Sequence, residues 1–317
     1  MIRPNKILIT GVSGFVGKVL LKRLTQDHLA VRSVLRQQNQ NFNQIEHLLM
    51  PSMSESSDWR NALEGCDVVI HLAARVHVMD EDSEDPLSEF RKTNVALTTN
   101  FARQAAALGV KRFIFLSSVK VNGEVSKGKK FNESQDANPQ DAYAISKWEA
   151  EEALRNLSKK TDMEVVIIRP PLVYGPGVKA NFLKMMRYLQ RGVPLPLGSI
   201  QNKRSLVGLN NLVDFIVTCI THPKAANQTF LISDNHDIST SDLLRLISKV
   251  MDKRARLIPI PSKLLFWLFS MIGRGDFAER LLGSLEVDIS KAKKLLSWSP
   301  PATMEDELKE TVRAMNA

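Results

Sequence analysis

At 317 residues the chain exceeds the usual single-domain length, so one large domain or two intimately joined ones are expected. Its 44% hydrophobic and 24% charged residues are those of a globular protein and exclude disorder, while two cysteines exclude a disulfide framework. The net charge of +9 is scattered, with no basic run and no aromatic–basic interleaving, so no nucleic-acid partner is expected.

The amino-terminal residues enter a strand without a signal-peptide core, and no apolar run approaches the ~20 residues needed to cross a bilayer. Cys66 and Cys219 sit in apolar runs and read as buried thiols, so a cytoplasmic protein with no transmembrane segment is expected. In chain order, residues 7–9 form a strand and 17–27 a helix, with Val19, Leu20 and Leu24 at helical spacing. Residues 31–35 read as the second strand, 58–63 as a short helix and 67–72 as a further strand. A long helix is predicted over 87–108, stopped by Gly109. Residues 113–116 read as strand, 143–159 as helix and 165–168 as strand.

Strict alternation of strand and helix implies an α/β fold, a Rossmann-type doubly wound parallel sheet with sites at the carboxyl ends of its strands. After Ile168 the texture changes: Arg169-Pro-Pro-Leu-Val-Tyr-Gly-Pro-Gly177 is too rich in turn formers for a regular element. A dinucleotide-binding domain over 1–170, with late sheet elements near 205–233, is expected beside a smaller substrate lobe over 171–204 and 234–317. The apolar stretch 264–272, holding Phe266, Trp267 and Phe269, reads as a buried or subunit-facing helix rather than a membrane-surface one.

Two local patterns carry chemistry. Thr10-Gly-Val-Ser-Gly-Phe-Val-Gly17 lies between a strand and a helix, where backbone N–H groups can close on a pyrophosphate. Gly11 serves the turn, Gly14 the close approach and Gly17 the helix–strand packing, with Phe15 and Val16 opening the helix. Tyr143-Ala-Ile-Ser-Lys147 puts a phenol and an ammonium on one helical face, where the charge lowers a phenol pKa that is ordinarily ~10. Ser118, just beyond the 113–116 strand, is placed to share the substrate oxygen with the phenol. No metal ligand is assigned. At the end of the second strand an acid would hold the ribose hydroxyls of NAD. The chain has Val31-Arg-Ser-Val-Leu-Arg36 and no acid before Glu46, so Arg36, with Arg32 beside it, is read as a partner for a 2′-phosphate. NADP(H) is the expected cofactor and NAD(H) the alternative.

These motifs, together with His71-Leu-Ala-Ala74, Asn94-Val95, Ser117-Ser118-Val-Lys-Val-Asn-Gly123 and the Arg169–Pro176 run, resemble the extended short-chain dehydrogenase/reductases that act on nucleotide sugars. The resemblance implies Ser118, Tyr143 and Lys147 as the catalytic set, Asn94 as a structural asparagine, and Ala73, Ala74 and Pro170 beside the cofactor. It implies Asn181, Phe182 and Arg204 around the diphosphate and base of a UDP-sugar. Arg280 is the nearest candidate for a second arginine that the family carries further on. The family's Gly-Asp-Leu triplet is replaced by Pro51-Ser52-Met53. Val119-Lys120 stands where 4,6-dehydratases carry an Asp-Glu pair, so that elimination is not expected. The resemblance implies NAD(P)H-dependent reduction of a UDP-4-keto-6-deoxy-N-acetylhexosamine in bacterial O-antigen synthesis. The alternatives are an NAD-dependent UDP-glucose or UDP-N-acetylglucosamine 4-epimerase and, behind it, a non-catalytic nucleotide sensor. A homodimer is expected.

Overall fold

The computed structural model describes residues 4–38, 45–76 and 85–316. Apolar runs of four to six residues, too short for helices, become strands buried on both faces. β1 (Ile7–Thr10), α1 (Phe15–Gln26), β2 (Val31–Leu35), β3 (Glu46–Leu49), α2 (Arg60–Leu63) and β4 (Val68–His71) open the chain. They are followed by α3 (Pro86–Phe90), a π-helical segment (Arg91–Ala96), α4 (Leu97–Ala107), β5 (Arg112–Leu116), α5 (Ala142–Ser158) and β6 (Glu164–Arg169). Then come β7 (Leu172–Tyr174), α6 (Ala180–Gln190), β8 (Leu206–Gly208), α7 (Leu209–Thr221) and β9 (Thr229–Leu231). The chain closes with α8 (Thr240–Val250), α9 (Ser262–Met271), α10 (Gly275–Leu282), α11 (Ser290–Leu296) and α12 (Met304–Asn316).

The sheet is parallel throughout, in the order β3-β2-β1-β4-β5-β6-β9. The strand order reverses between β1 and β4, and the crevice outside the carboxyl ends there is where such folds bind ligands. One face of the sheet is covered by α1 and α7 through Leu20, Leu24, Phe215 and Ile216. The other is covered by α2, α4 and α5 through Leu63, Phe101 and Leu154, with Trp59 buried among them. A third cluster, including Tyr174, Phe182, Met186, Leu244 and Leu308, ties β7 and α6 to α8 and α12.

Four expectations change. The helix over 87–108 is three pieces, interrupted by the π-helical segment. The Pro/Gly-rich run after Ile168 does hold a regular element: β7 pairs in parallel with β8 as a separate two-stranded sheet. β3 joins the edge of the main sheet although its residues are exposed or half-buried and show no strand alternation. Arg32 does not reach the cofactor edge. Its side chain is buried, with Nε 2.7 Å from Glu46 and Nη1 donating to the carbonyls of Asn61, Ala62 and Glu64. It is a structural cation, and its bond to Glu46 holds that carboxyl below the usual range.

Candidate active site

The glycine turn is built against β4. Thr10 Oγ1 lies 2.7 Å from His71 Nδ1, and His71 Nε2 lies 3.0 Å from Thr98 Oγ1. Burial, reinforced by the charge of Lys147, pushes the His71 pKa down to about 3, so this ring is a neutral strut at neutral pH. Gly11 has φ +78°, and a Cβ there would lie 2.7 Å from the Ala73 nitrogen, so the turn is pressed onto the Ala73 backbone. Gly14 differs. A Cβ there would meet only the Gly11 carbonyl, at 3.1 Å, so internal packing makes a weak case for glycine. Gly14 is also the N-cap of α1 and offers no side-chain cap. Open space at an uncapped helix start, with the N–H groups of Phe15 and Val16 in its first turn, fits the pyrophosphate of a dinucleotide. Gly17 is demanded by packing, since a Cβ would lie 2.6 Å from Val12 Cα. Ala73 and Ala74 are half-buried beside this turn. Arg36 is exposed just past β2.

Ser118 follows β5 in extended backbone, its hydroxyl accepting from Lys120 N at 3.2 Å and sharing a hydrogen bond with Tyr143. Asp141 caps α5 by accepting from Ala144 N at 2.7 Å, which fixes where Tyr143 enters the first turn. Burial pushes the Tyr143 phenol up to about 12, aided by the charge of Asp141 and opposed by the Ser118 bond. Lys147 Nζ donates to the Leu116 carbonyl at 2.8 Å and lies 4.4 Å from the Phe115 ring centre. Burial lowers Lys147 to about 7, against the pull of Glu151.

Sequence reasoning missed the support beneath this set. Glu151 is fully buried one turn beyond Lys147 and accepts from Arg169 at 2.9 and 2.6 Å, from Arg155 at 2.6 Å and from Ser117 at 2.5 Å. Arg169 also donates to Asn122 at 2.9 Å. This separates the adjacent serines: Ser117 is held by Glu151, while Ser118 faces the phenol. The signal was present as a lone Glu on the apolar side of α5. Asn94, within the π-helical segment, accepts from Arg75 N at 2.8 Å and donates to Arg75 O and Ser146 Oγ, both at 3.0 Å. It thus links the chain leaving β4 to α5. Pro170 is buried and its carbonyl accepts from Val119 N at 3.0 Å, joining the end of β6 to the Ser118 turn.

The substrate candidates do not all fit as expected. Asn181 is exposed, while Phe182 is a core residue whose ring stacks on Tyr174 at 5.6 Å. Arg204 donates through Nη1 to the carbonyls of Arg280 and Gly283, at 2.6 and 3.3 Å. Burial lowers its pKa and the charge of Glu124 opposes that. Glu124 also pairs with Lys120 at 2.8 Å, and Lys120 with Asp141 at 2.6 Å, so a charged chain runs from the Ser118 turn toward Arg204. Arg280 itself is exposed and meets Arg204 through its backbone.

A glycine turn at the sheet's reversal point, with Ser118, Tyr143 and Lys147 on the neighbouring strand end and helix, fits a Rossmann-fold enzyme that works with a nicotinamide dinucleotide. Residues 7–233 match the NAD dependent epimerase/dehydratase family, and the chain belongs to that family, in its nucleotide-sugar branch. It is similar to the UDP-glucose 4-epimerase of Vibrio cholerae, 48% identical over 98% of this chain and 95% of the relative. Among solved structures it is similar to UDP-N-acetylglucosamine 4-epimerase from Bacillus cereus, with a TM-score of 0.82 at 20% identity over 98% and 99% of the two chains. UDP-glucuronic acid 4-epimerase from Bacillus cereus in complex with NAD gives 0.79 at 20% identity over 98% of each. At that identity these structures speak for the fold.

Proposed function

We propose that the protein is an NAD-dependent UDP-sugar 4-epimerase. The observation that carries this reading is the 48% identity, end to end, with a relative named for that activity. It reverses the order of the two reactions expected from sequence, placing the epimerase ahead of the 4-ketoreductase and NAD ahead of NADP. Gly14, Phe15, Val16 and Ala73 would hold the dinucleotide, which when bound supplies the hydride acceptor and donor. Tyr143, as its phenolate, takes the proton of the carbon-4 hydroxyl as that carbon is oxidised and returns it to the oxygen when the other face is reduced. Ser118 orients that oxygen. Lys147 holds the ribose once its ammonium leaves the Leu116 carbonyl. Arg204 and the backbone at Phe182 support the diphosphate, and residues 171–204 and 234–317 act as the sugar-binding lobe.

A second reading, single reduction of a UDP-4-keto-6-deoxy-N-acetylhexosamine, is favoured by the exposed Arg36, which no acid accompanies in Arg36-Gln37-Gln38. Incubation with UDP-glucose or UDP-N-acetylglucosamine, with no added reductant, separates the two. Appearance of the carbon-4 epimer supports the epimerase. Inertness there, combined with stoichiometric NADPH consumption on the ketosugar, overturns it in favour of the reductase.

A further inference from the structure

Residues 264–272, read from the sequence as a buried or subunit-facing helix, lie largely exposed on the single chain as part of an α9–α10 hairpin. Among the described side chains, only Leu265 of α9 and Ala278 of α10 are buried. Leu264, Trp267, Leu268, Met271 and Ile272 fall at helical spacing in one outward stripe, with Trp267 56%, Met271 67% and Ile272 66% exposed. Phe277, also exposed, meets Phe269 edge-on at 5.4 Å, joining the two helices. A contiguous apolar surface of this kind marks an interaction site.

Its surroundings say what covers it. From residue 252 to the end of α10 six cations, Lys253, Arg254, Arg256, Lys263, Arg274 and Arg280, all exposed, outnumber the three acids Asp252, Asp276 and Glu279, so the hairpin is net positive. Lipid phosphates answer that charge. Trp and Phe beside Lys and Arg on a helix of ten residues, about 15 Å long, is the composition of a segment lying in a membrane interface rather than crossing it. No helix among the described residues is long and apolar enough to cross.

We propose that the α9–α10 hairpin docks the enzyme on an anionic lipid surface. α10 ends beside the candidate diphosphate region, where Arg204 holds the Arg280 carbonyl at 2.6 Å. Docking therefore brings the sugar cleft to the headgroup layer while the chain remains wholly peripheral. The proposal stands on the hairpin alone and is independent of which carbon-4 reaction the enzyme performs.

The test is flotation of the full chain with phosphatidylglycerol/phosphatidylcholine vesicles and with phosphatidylcholine alone, at low and high salt. Binding to the anionic vesicles at low salt is expected. It should fall about tenfold or more in high salt, in Trp267→Ser/Met271→Ser and in Lys263→Glu/Arg274→Glu. Far-UV circular dichroism and turnover of soluble substrate should match the unmodified protein, which separates lost docking from lost folding. Absence of binding to anionic vesicles at low salt overturns the proposal. So does undiminished binding by both variants. If the Trp267→Ser/Met271→Ser variant instead halves the mass by sedimentation while the unmodified protein ignores vesicles, the face is a subunit contact.

Discussion

Replacing Glu151 by Gln keeps the shape of the side chain and removes one charge at the foot of the catalytic helix. The carboxylate is wholly buried and receives two bonds from Arg169, whose side chain is 3% exposed, plus one each from Arg155 and Ser117. Without that charge Arg169 keeps Asn122, a neutral partner, as its other bond. Stripping one member from a buried pair costs about 3–5 kcal/mol, and an amide that still accepts one bond puts the expected loss near the lower end, ~3 kcal/mol. Against a total stability of roughly 5–15 kcal/mol this is readily measured by urea denaturation. Glu152→Gln is the control: its bond to Arg155, at 2.5 Å, is just as short, but its side chain is 46% exposed, so its loss should stay below about 1 kcal/mol. The same Glu151 charge lifts Lys147, which burial holds at about 7, so Glu151→Gln should move that titration further down. Equal losses from the two substitutions, or an unmoved Lys147 titration, would refute the idea that Glu151 is an electrostatic foundation for the site.

Tyr143→Phe should lower turnover by about 10²–10⁴-fold with substrate binding retained, since it removes the positioned proton carrier and little else; steady-state kinetics showing near-normal turnover would place the proton elsewhere. Arg36→Asp should weaken NADPH binding far more than NADH binding in fluorescence titrations, and an equal effect on both cofactors would mean that Arg36 is solvated surface. Glu307 is raised to about 7, chiefly by burial and further by the charge of Asp234. Its folded pKa thus lies above the ordinary 4.5, so the folded state binds the extra proton between those values. Its contribution to stability is complete below pH ~4.5 and is lost as pH rises through ~7, a change on the order of 2–3 kcal/mol. Denaturation of the wild type and Glu307→Gln across that window should show this slope in the wild type alone.

The local backbone of the candidate catalytic pieces was legible because each piece specifies its own turn or helix. A glycine turn and a Tyr-to-Lys spacing need only a strand or a helix to be meaningful, and Thr10–Gly17 and Tyr143–Lys147 specify their own backbone. What resisted reading depends on partners distant in sequence. Arg32 looked like a cofactor residue because nothing in Val31–Arg36 reveals that Glu46, on a short and largely exposed β3, will sit beside it. β7 was hidden by the prolines and glycines around it, and it exists because β8, over thirty residues later, offers it a ladder. Glu151 was overlooked since its meaning lies in Arg169, supplied by the following strand.

The π-helical segment has a consequence for helical phase. Phe90 and Phe101 are eleven residues apart, about three full turns of a regular α-helix, so in an unbroken helix they would point the same way. They do not serve the same neighbour: Phe90 meets Tyr143 edge-on at 6.0 Å, whereas Phe101 lies against His71 at 5.4 Å beneath the sheet. A π-bulge behaves as one residue inserted into an α-helix, and one residue is worth about 100° of rotation. The wider turn at Arg91–Ala96 therefore acts as a gear between two stretches of what would otherwise be a single rod, aiming one aromatic at the proton carrier and the other at the sheet. Deleting one residue there would return the rod to regular winding and leave one of those aromatics facing the wrong side.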